Sequence, residues 1–344
     1  MVTAQLREIA LPDFGMPDET PVIPDVIYRD RLERLRHRAD RRGYDRVIVY
    51  GDREHSANLS YLTGFDPRFE EAILIVGVDG SAEPLVLVGN ECGGMAEAAP
   101  LPMRVELHQD LSLPGQPRGQ SRSLGEILRE EGLSAGGRVG LIGWKVFDDR
   151  RMLDVPAFVV DAVRATVDGS GLVENAADLL MGPADGLRVI NEVEQLAAFE
   201  YAACHTSTGV RNLLFGLAPG VREDEAVRLL EWNGAPLSCH LMLSSGPRAS
   251  LGLVSPGDRR IERGDRFTTA FGIWGALNCR AGFVVEDESE LPPGVQDYVE
   301  RLVAPYFEAV AEWYGALHIG QTGGALYEII QRRLGDPFFG VTLN

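Results

Sequence analysis

The sequence contains a single lysine, Lys145, and every other strong cation is arginine, so chemistry that needs an amine, such as a Schiff base, has one possible address. Cysteine is nearly as scarce. Cys92, Cys204, Cys239 and Cys279 are far apart, with no CxxC pair and no zinc-finger spacing, which excludes a disulfide scaffold and suits a reducing compartment. HExxH and HxH pairs are absent and the six histidines are scattered, so spacing indicates no metal site. A phosphate-cradling GxxxxGK[ST] loop is excluded because Lys145 stands in GWKVF, and no GxGxxG follows a strand-like run. No apolar run approaches the ~20 residues of a membrane-spanning helix. The first residues also lack the basic-then-apolar order of a signal peptide, so a cytoplasmic protein is expected.

What is abundant is acid. Asp and Glu number 51 against 33 Lys and Arg, a net charge of −18, which repels nucleic-acid phosphates and anionic lipid; neither nucleic acid nor membrane is expected as a partner. With 45% hydrophobic and 24% charged residues, the composition is that of a globular chain, and 344 residues leave room for two domains.

Residues 1–26 are an irregular leader rich in proline and glycine. From Val26 to about Arg42, Ile27, Leu32, Leu35 and Ala39 recur at helical spacing, and Gly43 stops the pattern. RVIVYG (46–51), AILIVGV (72–78) and PLVLVG (84–89) have strand composition, the last two joined by a DGSAE turn. MRVEL (103–107), a helix around Leu124–Glu131 and RVGLIG (138–143) complete an α/β domain over 27–166, in mixed strand order. Residues 167–186 are loop-like at both ends and are expected to be a linker. A second domain follows over 187–344. It opens with a helix from Asn191 and continues with strands at 236–243, 266–274 and 275–285, then helices near Val295–Leu317 and Gly324–Leu334.

Cys239 and His240 are an adjacent thiol and imidazole. On a strand they point to opposite faces and cannot form a couple, but His240 alone could act as a general base. Arg248, after Ser245-Gly246-Pro247, has the fork that clamps a carboxylate. His55, Cys279 and Arg280 are polar groups beside strand ends.

Three segments carry a family resemblance: ANLSYLTGFDPRFEEAILIVGVDG (57–80), NEVEQLAAFEYAACHTS (191–207) with LAPGVREDEA (217–226), and SSGPRASLGLVSPGDRRIERGDRF (244–267). In order and spacing they resemble the creatinase and Xaa-Pro aminopeptidase/prolidase family of peptidase-like proteins, over about residues 27–344. The resemblance implies an α/β (α+β) fold: a creatinase-like N-terminal α/β domain and a partial "pita-bread" C-terminal domain. It also implies a homodimer whose N-terminal domain overhangs the partner's cleft, where the partner's His55 would approach a small-molecule or short-peptide ligand. Metal-dependent members of the family bridge two divalent ions with two Asp. The corresponding positions here are about Ala270 and Asn278 or Cys279, so neither a metal nor another cofactor is expected. Creatinase uses a His instead, and that position falls on Leu253, which transfers no proton. The family's remaining His and Glu residues would lie beyond PFFGVTLN (337–344), a strand-like run, so the second domain is expected to be incomplete.

The function expected is therefore a metal-independent hydrolase of C–N bonds in small amino-acid-like or X-Pro-like molecules. His240 would be catalytic, with Arg248, Cys279 and Arg280 binding substrate. The alternative is a catalytically inactive relative that binds a small ligand or a partner protein.

Overall fold

Runs of Val, Ile and Leu long enough for a strand but too short for a buried helix build a mixed sheet, β1 (Arg46–Gly51), β2 (Ala72–Gly77), β3 (Leu85–Val88), β4 (Arg104–Leu107), β5 (Arg138–Ile142) and β6 (Leu172–Asn175), in the order β4-β3-β2-β1-β5-β6. The computed structural model describes residues 4–11, 15–252 and 254–335. The described residues form two units, one spanning Thr20–Ala198, the other joining described residues up to Glu19 with those from Phe199 to Gly335.

In the first unit β1 pairs antiparallel with β2 and parallel with β5. The remaining pairs are β2–β3 antiparallel and β3–β4 and β5–β6 parallel. Alternation along β1 explains why residues 47–50 of RVIVYG are buried on both faces. Val47 and Val49 face one core with Leu35 of α1 (Asp25–Arg41) and Leu59 of α2 (Ala57–Thr63), whereas Ile48 and Tyr50 face the other. That second face is covered by α4 (Leu124–Glu130) and α5 (Ala157–Val167); α3 (Gly93–Glu97) and α6 (Asp178–Met181) lie on the first. The segment 167–186, expected as a linker, instead supplies β6 and α6. Its strand is short, half-exposed and carries Glu174 and Asn175, so it lacks the apolar run that identified the others.

The YLTGF motif has a local physical reason. Gly64 ends α2 in the left-handed region (φ 73°), and its N–H closes on the Ser60 carbonyl at 2.8 Å. A Cβ there would stand 2.7 Å from Pro100 Cδ. Gly64→Ala is expected to cost about 1–3 kcal/mol, from the backbone conformation and the overpacking together, read as a lower urea midpoint at unchanged slope.

The second unit is built on an antiparallel sheet, β7 (Met242–Ser245), β8 (Arg266–Phe271) and β9 (Asn278–Phe283), with β8 central. Helix α7 (Val193–Gly216) starts at the end of the first unit and lays Ala202, Val210 and Leu213 against Phe267, Phe271 and Ile273. Gly209 allows the close approach, since a Cβ there would meet the Leu230 carbonyl at 2.7 Å. The short α8 (Glu223–Ala226) precedes the sheet, and α9 (Ala304–Ala316) and α10 (Gly323–Leu334) follow it, tied by Arg333 on Glu312 at 2.7 Å. The strand expected at 236–243 begins only at Met242; before it, Leu237 makes an isolated bridge to Ile273 and the chain bends at Ser238-Cys239. The expected strand at 337–344 and the position of Leu253 lie outside the described residues. Among the described residues, no helix is long and apolar enough to cross a membrane.

Candidate functional site

Register decides which side chains of the second unit share a surface. Directly paired residues project to the same face, and on β8 the odd positions Phe267 and Phe271 are committed to the core. The even positions therefore form the opposite face. Met242, Ala270 and Cys279 stand in one row across the three strands, and Ser244, Thr268 and Ala281 in the next. Ser244 and Thr268 hydroxyls are 2.9 Å apart. At the head of this face Gly272 is closely approached by two segments, as a Cβ there would lie 2.5 Å from Ser238 Oγ and 2.8 Å from Leu277 Cα. The bend before β7 and the turn before β9 therefore meet over β8.

That convergence brings together two cysteines that sequence spacing left unrelated. Burial pushes the Cys239 thiol above its ordinary value, and Cys279 adds to the rise, whereas Ser238 opposes it. Cys279 is exposed. Arg280, the next residue on β9, projects to the other face and donates to the Cys279 carbonyl at 2.7 Å, so Cys279 and Arg280 do not share a pocket. His240 lies in the exposed segment between the bend and β7, not on a strand, so the alternation argument separating it from Cys239 does not apply there.

Arg248 is engaged within the fold. It sits on a 3-10 turn (Gly246–Leu251), donates to the carboxylate of Glu223, and reaches the Ser255 carbonyl at 2.9 Å. Glu223 is fully buried and also accepts from Ser245 N–H and Oγ, both at 2.8 Å, and from Gly257 N–H at 3.0 Å. Arg259 donates to Ser245 Oγ at 2.9 Å and grips Asp265 at 2.5 and 3.0 Å. One connected polar network thus links REDEA, SSGPR and RGD. Glu223, Arg259 and Asp265 were not singled out by sequence reasoning; only the co-occurrence of those three motifs signalled them.

In the first unit, His55 Nδ1 is 3.1 and 3.2 Å from the Asp52 carboxylate oxygens, and its ring stacks on Trp144 with centroids 4.0 Å apart. Lys145 Nζ lies 4.1 Å from the Trp144 ring centroid.

Among the described residues, the row of Met242, Ala270 and Cys279 does not offer the donor set of a dinuclear metal centre. Ala270 offers no ligand atom, and its partner Cys279 offers one thiol, where two divalent charges require several anionic oxygens. Among the described residues, no three His, Cys, Asp or Glu side chains are grouped to hold a metal ion.

Residues 31–174 match the creatinase/prolidase N-terminal domain family. The fold is similar to that of the prolidase from Pyrococcus horikoshii OT3, with TM-score 0.65 and 16% identity over 90% of this chain and 78% of that one. The Xaa-Pro dipeptidase from Bacillus anthracis gives 0.62 and 17%, over 90% and 79%. The X-Pro aminopeptidase from Thermotoga maritima MSB8 gives 0.62 and 17%, over 88% and 78%. No curated protein matches the chain in sequence.

Proposed function

We propose, from the premise that this chain belongs to the creatinase/prolidase family, that it hydrolyses C–N bonds in small amino-acid-like or X-Pro-like molecules without a dinuclear metal centre. The observation that carries this reading is the β8–β9 register, which puts Ala270 opposite Cys279 on the outward face of a prolidase-like sheet. Hydrolysis without metal requires a group that moves a proton at the leaving nitrogen. His240, exposed where the chain enters β7 at the edge of that face, supplies the imidazole. Arg248 serves as a positioning residue, holding the Ser245-Gly246-Pro247 turn through Glu223. A cytoplasmic homodimer is part of the same reading, tested by sedimentation.

The test uses purified protein dialysed against a chelator and assayed with X-Pro dipeptides and guanidino acids. Turnover that survives chelation is expected, with His240→Ala lowering kcat by about 10²–10⁴ at little change in KM. Chelator-sensitive turnover restored by two equivalents of a divalent ion would overturn it. A second reading, a ligand-binding relative without turnover, is favoured by the engagement of Arg248 with Glu223. Calorimetric binding of the same compounds with no hydrolysis would establish that second reading.

A further inference from the structure

Inward-turned arginines of the first unit are almost all neutralised. Arg31, fully buried, donates to both oxygens of Glu192, at 3.3 and 2.7 Å. Arg42 grips both oxygens of Asp178, and Arg36 reaches Glu33 and the carbonyls of Gly77 and Ala82. Arg188 is different. Among the described residues its half-buried guanidinium makes one hydrogen bond, from Nη1 to the neutral Asn58 Oδ1 at 2.7 Å, and no carboxylate pairs with it. Burial pulls its pKa below the ordinary arginine value, with only Tyr61 opposing the fall and no acid contributing. A desolvated charge without a counter-charge is costly, and a chain with an excess of acids had many chances to supply one.

The surroundings are connected by hydrogen bonds. Asn58 is buried, and its Nδ2 donates to the Gly143 carbonyl at 2.7 Å, fixing the carboxamide that meets Arg188. Gly143 directly follows β5, which runs parallel to β1, and the carboxyl ends of parallel strands are where open α/β sheets receive ligands. Two residues beyond it, Lys145 also lacks a carboxylate within ion-pair distance among the described residues. The nearby Asp154 carboxylate instead accepts the backbone N–H groups of Trp144 and Lys145, at 2.7 and 2.6 Å.

The geometry points to a ligand site in the first unit in which Arg188, oriented by Asn58, binds the carboxylate of a small organic acid through the remaining N–H groups of its fork. A guanidinium matches a planar carboxylate bidentately, and the bound anion supplies the missing counter-charge. The proposal does not rest on the hydrolytic reading.

Calorimetry on the intact chain would use N-acetylglycine, its uncharged amide and inorganic phosphate. N-acetylglycine is expected to bind and the amide not, with Arg188→Gln weakening binding about tenfold or more. The melting temperature of unliganded Arg188→Gln is expected to equal or exceed that of the parent, because the substitution removes an uncompensated charge. Should that variant fail to fold, Arg188→Lys decides the matter: it keeps the charge, loses the fork, and is expected to bind N-acetylglycine more weakly than the parent. Equal binding of acid and amide, undiminished binding by a folded Arg188 variant, or a preference for phosphate would each overturn the proposal.

Discussion

Glu223→Ala is expected to destabilise the C-terminal unit by about 3–5 kcal/mol, the range for breaking a buried, hydrogen-bonded ion pair. Four donors lose their acceptor at once: Ser245 N–H, Ser245 Oγ, Gly257 N–H and Arg248. Two of these donors are backbone groups whose bonds to Glu223 are lost together, which is why truncation costs more than the pair itself is worth. A urea titration monitored in the second unit should show a lower midpoint. Glu223→Gln, which keeps an acceptor oxygen, should lose markedly less. Arg248→Ala should also lose less, since that side chain is 32% exposed and water can replace it. Equal stability of Glu223→Ala and the parent would show that the network does not hold the Ser245–Gly257 segment.

Arg31→Ala should cost the first unit a similar amount, about 3–5 kcal/mol. The guanidinium is enclosed by Glu192, Gln195 and the Tyr61 carbonyl and lies 4.1 Å from the Tyr61 ring centroid. Its removal leaves a cavity as well as a carboxylate whose side chain is 15% exposed. The loss carries a pH signature. Burial raises the Glu192 pKa, but hydrogen bonding to Arg31 and the charges of Arg31 and Arg34 outweigh that and hold it below the ordinary glutamate value. A depressed carboxylate contributes fully above its unfolded value and loses the contribution as pH falls through the folded one. The stability gap between parent and Arg31→Ala should therefore be widest at neutral pH and shrink in acid. A gap independent of pH would assign the effect to packing alone.

The first unit was legible because its strands are buried on both faces. RVIVYG and AILIVG are continuous apolar runs for that reason, and the turn at Asp79-Gly80 between β2 and β3 has an unambiguous chemistry. Strand β6 was not legible, because a half-exposed edge strand of four residues with two polar members looks like a loop. In the second unit, PLSCHLML has the composition of a strand throughout, yet its pairing is interrupted: Leu237 bridges Ile273, and the ladder resumes only at Met242. The chain bends at Ser238-Cys239, between these two stretches of pairing, and an interruption of a ladder with a remote segment leaves no trace in local propensity. The candidate site suffered similarly. Arg248 beside Ser-Gly-Pro has the same local appearance whether it awaits a ligand or is held by Glu223, 25 residues earlier.

By itself, then, the sequence determined what is set by local pattern and by composition. These are the mixed α/β character of residues 27–166, the helical start of the second unit, the absence of metal-ligand spacings, and the motifs that resemble the creatinase/prolidase family. Tertiary structure alone decided which charges meet. It placed Arg248 on Glu223 and Arg31 on Glu192, paired Ala270 with Cys279, put Cys279 and Arg280 on opposite faces, and left Arg188, among the described residues, with a neutral partner and no carboxylate. The physical reason is distance along the chain. Propensity and periodicity act over a few residues, whereas an ion pair depends on where folding brings two remote side chains and on how much water remains between them.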